Sequence, residues 1–432
     1  MNRLIRTAAI LAAVTLSALL VPVTNAAGQS ADAFAFASGT VVHADLLRSG
    51  ETRLVDVEVA FSGAVFDTGG LDTAVLNELD REFAPQLPDK SSFGRATGLE
   101  AGLGVAPGDE NQVILSGRAE VAAPPNLDGV SNEIGPVDLD PLAWADLLRG
   151  EAFAQAGDPP CGPIGDISRG LSYVTDVQLL DTASSGEGDG LEAPVLALNA
   201  SDPARAVSQS HSRTAFIAQT DADGRSLGDK LGVVSEVRET IAPVTLFGGT
   251  PSALTIEFLG EWVLRATATG MPGGAFVHYG PGEVSPETPV VRLIDADGVE
   301  NLVTLQQLLG EDGLVVDVPG VAEIAIGEPP RAIDGAAGSQ PTESADGTRA
   351  SAAVDVVRVR ALPGTPAELA DIRVGHLEVS TQVPAGGVSC PAPEVEVRSA
   401  ASLPKTGPAV AATLLTGLLL AAGALALRRR LS

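Results

Sequence analysis

Between residues 54 and 61 the chain alternates with period two. Val55, Val57, Val59 and Phe61 fall on one side of an extended backbone, with Asp56 and Glu58 on the other. A half-buried strand requires that pattern, and it recurs twice. At 112–121, Val113, Leu115, Ala119 and Val121 oppose Arg118 and Glu120; at 255–267, Ile256, Phe258, Trp262 and Leu264 oppose Glu257, Glu261 and Arg265. Aromatic residues are only 3% of the chain, so the core behind these strands must be built from Ala, Val, Leu and Ile. With 48 Gly and 30 Pro, the connections are rich in turns. The expected fold is mainly β: a large antiparallel β-sandwich-like head with a few short helices. No fixed-period repeat is present, which argues against a solenoid or propeller.

Three helices are expected to decorate the sheets. Asp72 or Thr73 caps a segment with Val75, Leu76, Leu79 and Phe83 at helical spacing. Asp140-Pro141 opens a second, carrying Trp144, Leu147 and Leu148. Thr304 and Gln307 form a capping-box pattern for a third that ends near Gly310. Residues 157–162 divide an N-terminal part of the head (27–160) from a C-terminal part (161–390), and 335–348 reads as an exposed mobile loop.

The two ends of the chain carry addresses. Arg3 and Arg6 precede an apolar run and then small residues, so 1–26 reads as a signal peptide cut between Ala26 and Ala27. After a short spacer, 391–402, the segment 403–432 begins Leu403-Pro404-Lys405-Thr406-Gly407 and ends in Arg428-Arg429-Arg430. The uncharged run 409–427 between them is long enough, as a helix of about 1.5 Å per residue, to cross a bilayer core of about 30 Å. The arginines would stop it on the cytoplasmic side. This order resembles the cell-wall sorting signals of Gram-positive sortase substrates. The resemblance implies cleavage between Thr406 and Gly407, transfer of Thr406 to a peptidoglycan precursor, and only transient residence in the membrane. An uncleaved C-terminal membrane anchor is the alternative. Export also places Cys161 and Cys390, the only cysteines, where a disulfide persists; they are expected to pair, stabilising the head by up to about 5 kcal/mol.

Three stretches of the head resemble the choice-of-anchor G proteins, exported bacterial and typically actinobacterial proteins that share a head and differ in anchoring signal. They are 34–39 (Phe-Ala-Phe-Ala-Ser-Gly), 234–247 (Val-Ser-Glu-Val-Arg-Glu-Thr-Ile-Ala-Pro-Val-Thr-Leu-Phe) and 259–267 (Leu-Gly-Glu-Trp-Val-Leu-Arg-Ala-Thr). The resemblance covers most of the head and is strongest over 207–293. It implies surface display and supplies neither an activity nor catalytic residues.

Chemistry is sparse. The formal net charge is −28, and removing both ends takes five arginines and no acid, so the head should repel nucleic acid and anionic wall polymers. His43, His211, His278 and His376 are dispersed, without zinc-ligand spacing and without neighbouring cysteines. His376 shares a strand face with Glu378 and reads as an ordinary polar-face histidine. No nucleophile elbow, phosphate loop or dinucleotide fingerprint occurs. Asp221-Ala222-Asp223-Gly224 and Asp295-Ala296-Asp297-Gly298 resemble fragments of calcium loops, but tight strand connections with Gly in the left-handed position account for them better. No metal, cofactor or catalytic residue is expected. The favoured expectation is a non-enzymatic, wall-attached protein with an envelope-structural or adhesive head whose ligand is unassigned. A glycan- or small-ligand-binding module is the alternative, with Tyr279, in the turn-rich 273–282, a better exposed stacking residue than the core-facing Trp262. A wall-active hydrolase would need convergent acids in a cleft.

Overall fold

The computed structural model describes residues 33–49, 52–71, 89–103, 112–125, 129–139, 143–156, 165–181, 194–198, 207–282, 284–310, 314–318, 322–333, 335, 339–361 and 370–389. The chain is mainly β, and its sheets are antiparallel, as the alternation requires. The first sheet runs β21 (Leu314–Val318), β22 (Ala322–Ile326), β24 (Arg349–Ala361), β25 (Ala370–Gln382), β1 (Phe34–Ser49), β2 (Thr52–Asp67), β3 (Ser92–Leu103), β4 (Gln112–Ser116). β5 (Ala119–Ala123) also pairs with β3, and β23 (Thr342–Glu343) with β24. The second sheet runs β18 (Phe276–Gly280), β17 (Trp262–Ala268), β14 (Ser226–Thr240), β13 (Val207–Thr220), β10 (Gly165–Thr175), β9 (Leu148–Ala154), β6 (Val130–Ile134). The third runs β20 (Glu300–Thr304), β19 (Pro289–Asp295), β16 (Leu254–Phe258), β15 (Val244–Leu246), β12 (Pro194–Leu198), β11 (Val177–Asp181), β8 (Ala143–Ala145), β7 (Val137–Leu139).

The second and third sheets are one set of strands folded across a corner. From β18/β19 to β6/β7, each strand of the second sheet is followed or preceded in the chain by the strand of the same rank in the third. Among the described residues several corners are short irregular steps, such as Asp176 (φ 47°) and Leu259-Gly260-Glu261. The first sheet bends in the same way. Its ladder skips Val356, Gly375, Val41, Ala60 and Gly98 in five adjacent strands. Ala60 and Gly375 lie at φ 55° and 69°, and Gly117 (φ 68°) separates β4 from β5 on the same line. The two corner lines meet: a Cβ on Gly375 would lie 3.0 Å from Ile241 Cδ1, between β14 and β15.

The corner at Ala60 reverses the inside–outside alternation, which corrects one expectation. Val55, Val57 and Val59 face the main core, but Ala60 absorbs a residue and turns Phe61 to the opposite side. There Phe61 clusters with Phe36, Val65, Leu71 and Phe93. The alternation at 255–267 is likewise two strands, β16 and β17, with Ile256, Phe258, Trp262 and Leu264 all buried in one core that spans the corner.

Packing differs on the two sides of the corner. Toward the third sheet the layers are filled by Leu, Ile and Val. Toward the second sheet many inward residues are Gly, Ala, Ser and Thr, and the backbones come into contact there. A Cβ on Gly170 would lie 2.0 Å from Arg95 O, and one on Gly94 would lie 2.4 Å from Phe153 O. Buried hydroxyls link the layers: Ser62 Oγ lies 2.8 Å from Ser210 Oγ and 2.7 Å from Ser212 Oγ, and Ser172 Oγ donates to Thr97 O at 3.0 Å. Many glycines expected in turns therefore serve instead as sites where two sheets touch.

Of the helices, the third is present: α1 (Leu305–Leu308) has the full capping box between Thr304 and Gln307. The second is not. Its residues form β8 and β9, with the corner at Asp146-Leu147 bringing Trp144, Leu147 and Leu148 into helix-like spacing. The first lies outside the described residues. Part of 335–348 is also strand, with Thr342 and Glu343 paired to Ser351 and Ala350.

Candidate functional site

Strand β13 shows how the outer face of the second sheet is made. Ser208, Ser210, Ser212 and Thr214 point to the first sheet and are buried, so Gln209, His211 and Arg213 must point out. Register then collects residues that are far apart in the chain. His278 stands opposite Arg265, Arg265 opposite Glu236, Glu236 opposite Arg213, Arg213 opposite Arg169 and Arg169 opposite Phe153. With Arg238, two residues along β14 from Glu236, the guanidinium groups of Arg213 and Arg265 thus converge in a protein with 55 acidic residues and only 27 Lys and Arg.

Their anchor is Glu236, which is fully buried. It accepts hydrogen bonds from Arg213 Nε and Arg238 Nε at 2.7 Å each, and from Arg265. Burial alone would raise its pKa, but the bonds from Arg238 and Arg213 and the charges of Arg213 and Arg265 outweigh burial and pull it down to about 2. One carboxylate holds three guanidiniums, leaving their outer edges in solvent; Arg238 is 34% and Arg265 37% exposed. Arg169 stacks over the Phe153 ring at 5.5 Å. Burial, Arg169 and Arg213 push His211 down to about 4, so it is neutral at pH 7.

At the β17/β18 end of this row lies a groove of about 540 Å³. Arg238, Arg265 and His278 line it with Glu261, and Phe276 and Val263 supply apolar surface. Arg238 Nη1 donates to Glu261 at 3.1 Å. The Asp221–Gly224 turn contributes Ala222 to the rim.

A second polar cluster sits on the outer side of the first sheet. His43 lies 3.7 Å from Asp45, 3.2 Å from Asp56 and 3.8 Å from Glu58. His376 Nδ1 lies 2.6 Å from Asp355, and its Nε2 is 3.3 Å from Glu378. The two rings are 6.3 Å apart, so histidines that are dispersed in the chain meet in the fold. Burial lowers the pKa of each, but neighbouring carboxylates prevail, holding His43 well above its ordinary value and His376 at about 9. Donor atoms of His43, Asp45 and Asp56 fall within 4.8 Å of one another, close enough to share a divalent cation if His43 were neutral. With His43 protonated, the imidazolium itself supplies the positive charge, and the arrangement reads as an internal ion network.

No family model, curated protein or solved structure matches the chain.

The structure places the remaining expected residues as follows. Trp262 is fully buried, as its strand face implies, against Phe258 and Tyr279. Tyr279 is not an exposed turn residue. It lies in β18, packs on the main core with its ring 5.5 Å from Trp262, and its hydroxyl is buried, which raises its pKa. The two Asp-Ala-Asp-Gly segments are strand connections, with Gly224 and Gly298 at φ 77° and 79°. Asp221 and Asp295 each cap their own turn by accepting two backbone N–H groups. Ala26, Ala27, Cys161, Cys390, Leu403, Pro404, Lys405, Thr406, Gly407 and Arg428 to Arg430 lie outside the described residues, as does the apolar run 409–427. Among the described residues no helix is long and apolar enough to cross a membrane. The arginine row has no local motif: Arg169, Arg213, Arg238 and Arg265 come from four strands and meet only through their pairing.

Proposed function

We propose that this is an exported surface protein, joined to peptidoglycan by a sortase, whose β-sandwich-like head has a non-enzymatic structural or adhesive role at the envelope. The observation that carries the reading is the order of Leu403–Gly407, the uncharged run 409–427 and Arg428-Arg429-Arg430. The motif lies next to the run, so a helix held in the bilayer would present Thr406 at the outer face. A cysteine thiolate of the partner enzyme attacks the Thr406 carbonyl, the Gly407 amine leaves with a proton, and an amine of the peptidoglycan precursor displaces the thiol to form the new amide. The protein is the acyl donor and contributes no catalytic group. Its resemblance to choice-of-anchor G proteins agrees with surface display.

Muramidase digestion of native wall followed by mass spectrometry tests this. A peptide ending at Thr406 and linked to a cross-bridge is the expected product; recovery of the intact Arg-rich tail would overturn it. Thr406→Ala should leave the protein in membranes or medium. Turnover of purified peptidoglycan by the full-length chain would overturn the non-enzymatic role.

A binding role for the head has one specific observation in its favour, the groove at Arg238 and Arg265.

A further inference from the structure

We propose that the groove on the outer face of the second sheet binds an acidic polysaccharide carrying uronic-acid carboxylates. This deepens the proposed adhesive role by naming a ligand class, but it is physically independent of wall attachment.

Three features of the groove favour a carboxylated sugar. Arg238 and Arg265 are pre-positioned by their bonds to Glu236, so their planar forks lose little freedom on meeting a carboxylate. Glu261 offers acceptor oxygens beside them, which suit sugar hydroxyls. Half-buried Phe276 offers the apolar surface on which a sugar ring's C–H face rests. A poly(glycerol phosphate) has no ring to use that surface.

The row beyond the groove extends the site. Arg265 and Arg213 are on strands separated only by β14, and both bond the carboxylate of Glu236, so their guanidinium groups lie closer together than the roughly 10 Å between the two backbones. One or two pyranose rings cover such a distance, so neighbouring carboxylates of a uronic-acid polymer can meet neighbouring arginines. Arg169, on the next strand, continues the track and lies against the Phe153 ring. In a chain of net charge −28 this face gathers Arg169, Arg213, Arg238 and Arg265 against Glu236, Glu261 and Asp166, the last of which accepts a bond from Arg213 at 3.2 Å.

Calorimetric titration of the full-length chain with oligogalacturonate, a neutral dextran oligomer and poly(glycerol phosphate) tests the proposal. Oligogalacturonate should bind, more weakly as salt rises. Arg265→Gln should weaken binding at least tenfold. Because that variant also strips a partner from buried Glu236, Ala222→Glu provides a second test. It places a negative charge on an exposed turn at the groove rim and should weaken binding severalfold without lowering the melting temperature. Equal binding of dextran, preference for poly(glycerol phosphate), no heat with oligogalacturonate, or binding unchanged in Ala222→Glu would each overturn the assignment. Failure of the wall digest to show a Thr406 linkage would leave this binding intact, and failure to bind would leave the linkage intact.

Discussion

Gly170→Ala tests the close contact between the first and second sheets. Gly170 is in the middle of β10, and its added Cβ would stand 2.0 Å from Arg95 O and 2.7 Å from both N and O of Gly63. Its φ is not in the left-handed region, so space alone demands glycine. All three neighbours are backbone atoms of β2 and β3, which no rotamer change can clear. Relief needs the layers to part locally by about 1 Å, enough to forfeit a quarter to a half of the dispersion attraction across the gap. Overpacking of this kind costs about 1–3 kcal/mol. The same movement stretches the Ser62 contacts to Ser210 and Ser212, now 2.8 and 2.7 Å, and the Ser172 bond to Thr97 O, now 3.0 Å. At about 0.5–1.5 kcal/mol net for each of these three buried hydrogen bonds, the total reaches about 2.5–7.5 kcal/mol, a large share of a typical domain's stability. Gly135→Ala is the control, since no atom lies within 4 Å of its Cβ and its φ is also unconstrained. Urea unfolding followed by far-UV circular dichroism should show Gly170→Ala several kcal/mol less stable and Gly135→Ala unchanged or slightly more stable. If the two variants agree to within about 0.5 kcal/mol, the close approach of the sheets is wrong.

Glu239 lies between the layers, where burial pushes its carboxyl up to about 8 against the opposing Ser210 hydroxyl and His376 charge. The fold holds this proton longer than the unfolded chain, so stability should fall as pH rises from about 4.5 to 8, and Glu239→Gln should flatten that decline in unfolding measurements across the range. The charged His376 contributes stability that is complete below about 6.5 and lost as pH approaches about 9, so His376→Gln should remove the alkaline part of the loss. Glu236 works in the other direction: its contribution is present above about 4.5 and disappears toward about 2, and Glu236→Gln should blunt acid unfolding while lowering stability at pH 7. Trp262→Ala empties the most voluminous buried side-chain site and should cost about 3–5 kcal/mol by urea titration.

What the sequence disclosed, and what it hid, follows from the range of the interactions. Period-two alternation is local, so the strands around Val57, Val121 and Ile256 were legible, as was the Thr304–Gln307 capping box, whose two partners are three residues apart. The corners were not, because Ala60 adopts φ 55° without a glycine to announce it, and the residues after it keep an apolar-polar rhythm while changing sides. At Asp146-Leu147 the corner brought strand residues into helical spacing and produced a false helix. The arginine row is less local still, since Arg169, Arg213, Glu236 and Arg265 meet only once the register of four strands is fixed. The small inward residues of β13 nevertheless point to it. A strand reading Ser-x-Ser-x-Ser-x-Thr with every small residue buried cannot face a wide aliphatic core, so another sheet must come close on that side. The intervening Gln209, His211 and Arg213 are thereby committed to the outer face. The features that make the layers touch are the same ones that set out the arginines, and a change that opened the sheets, such as Gly170→Ala, should also disturb binding at the groove.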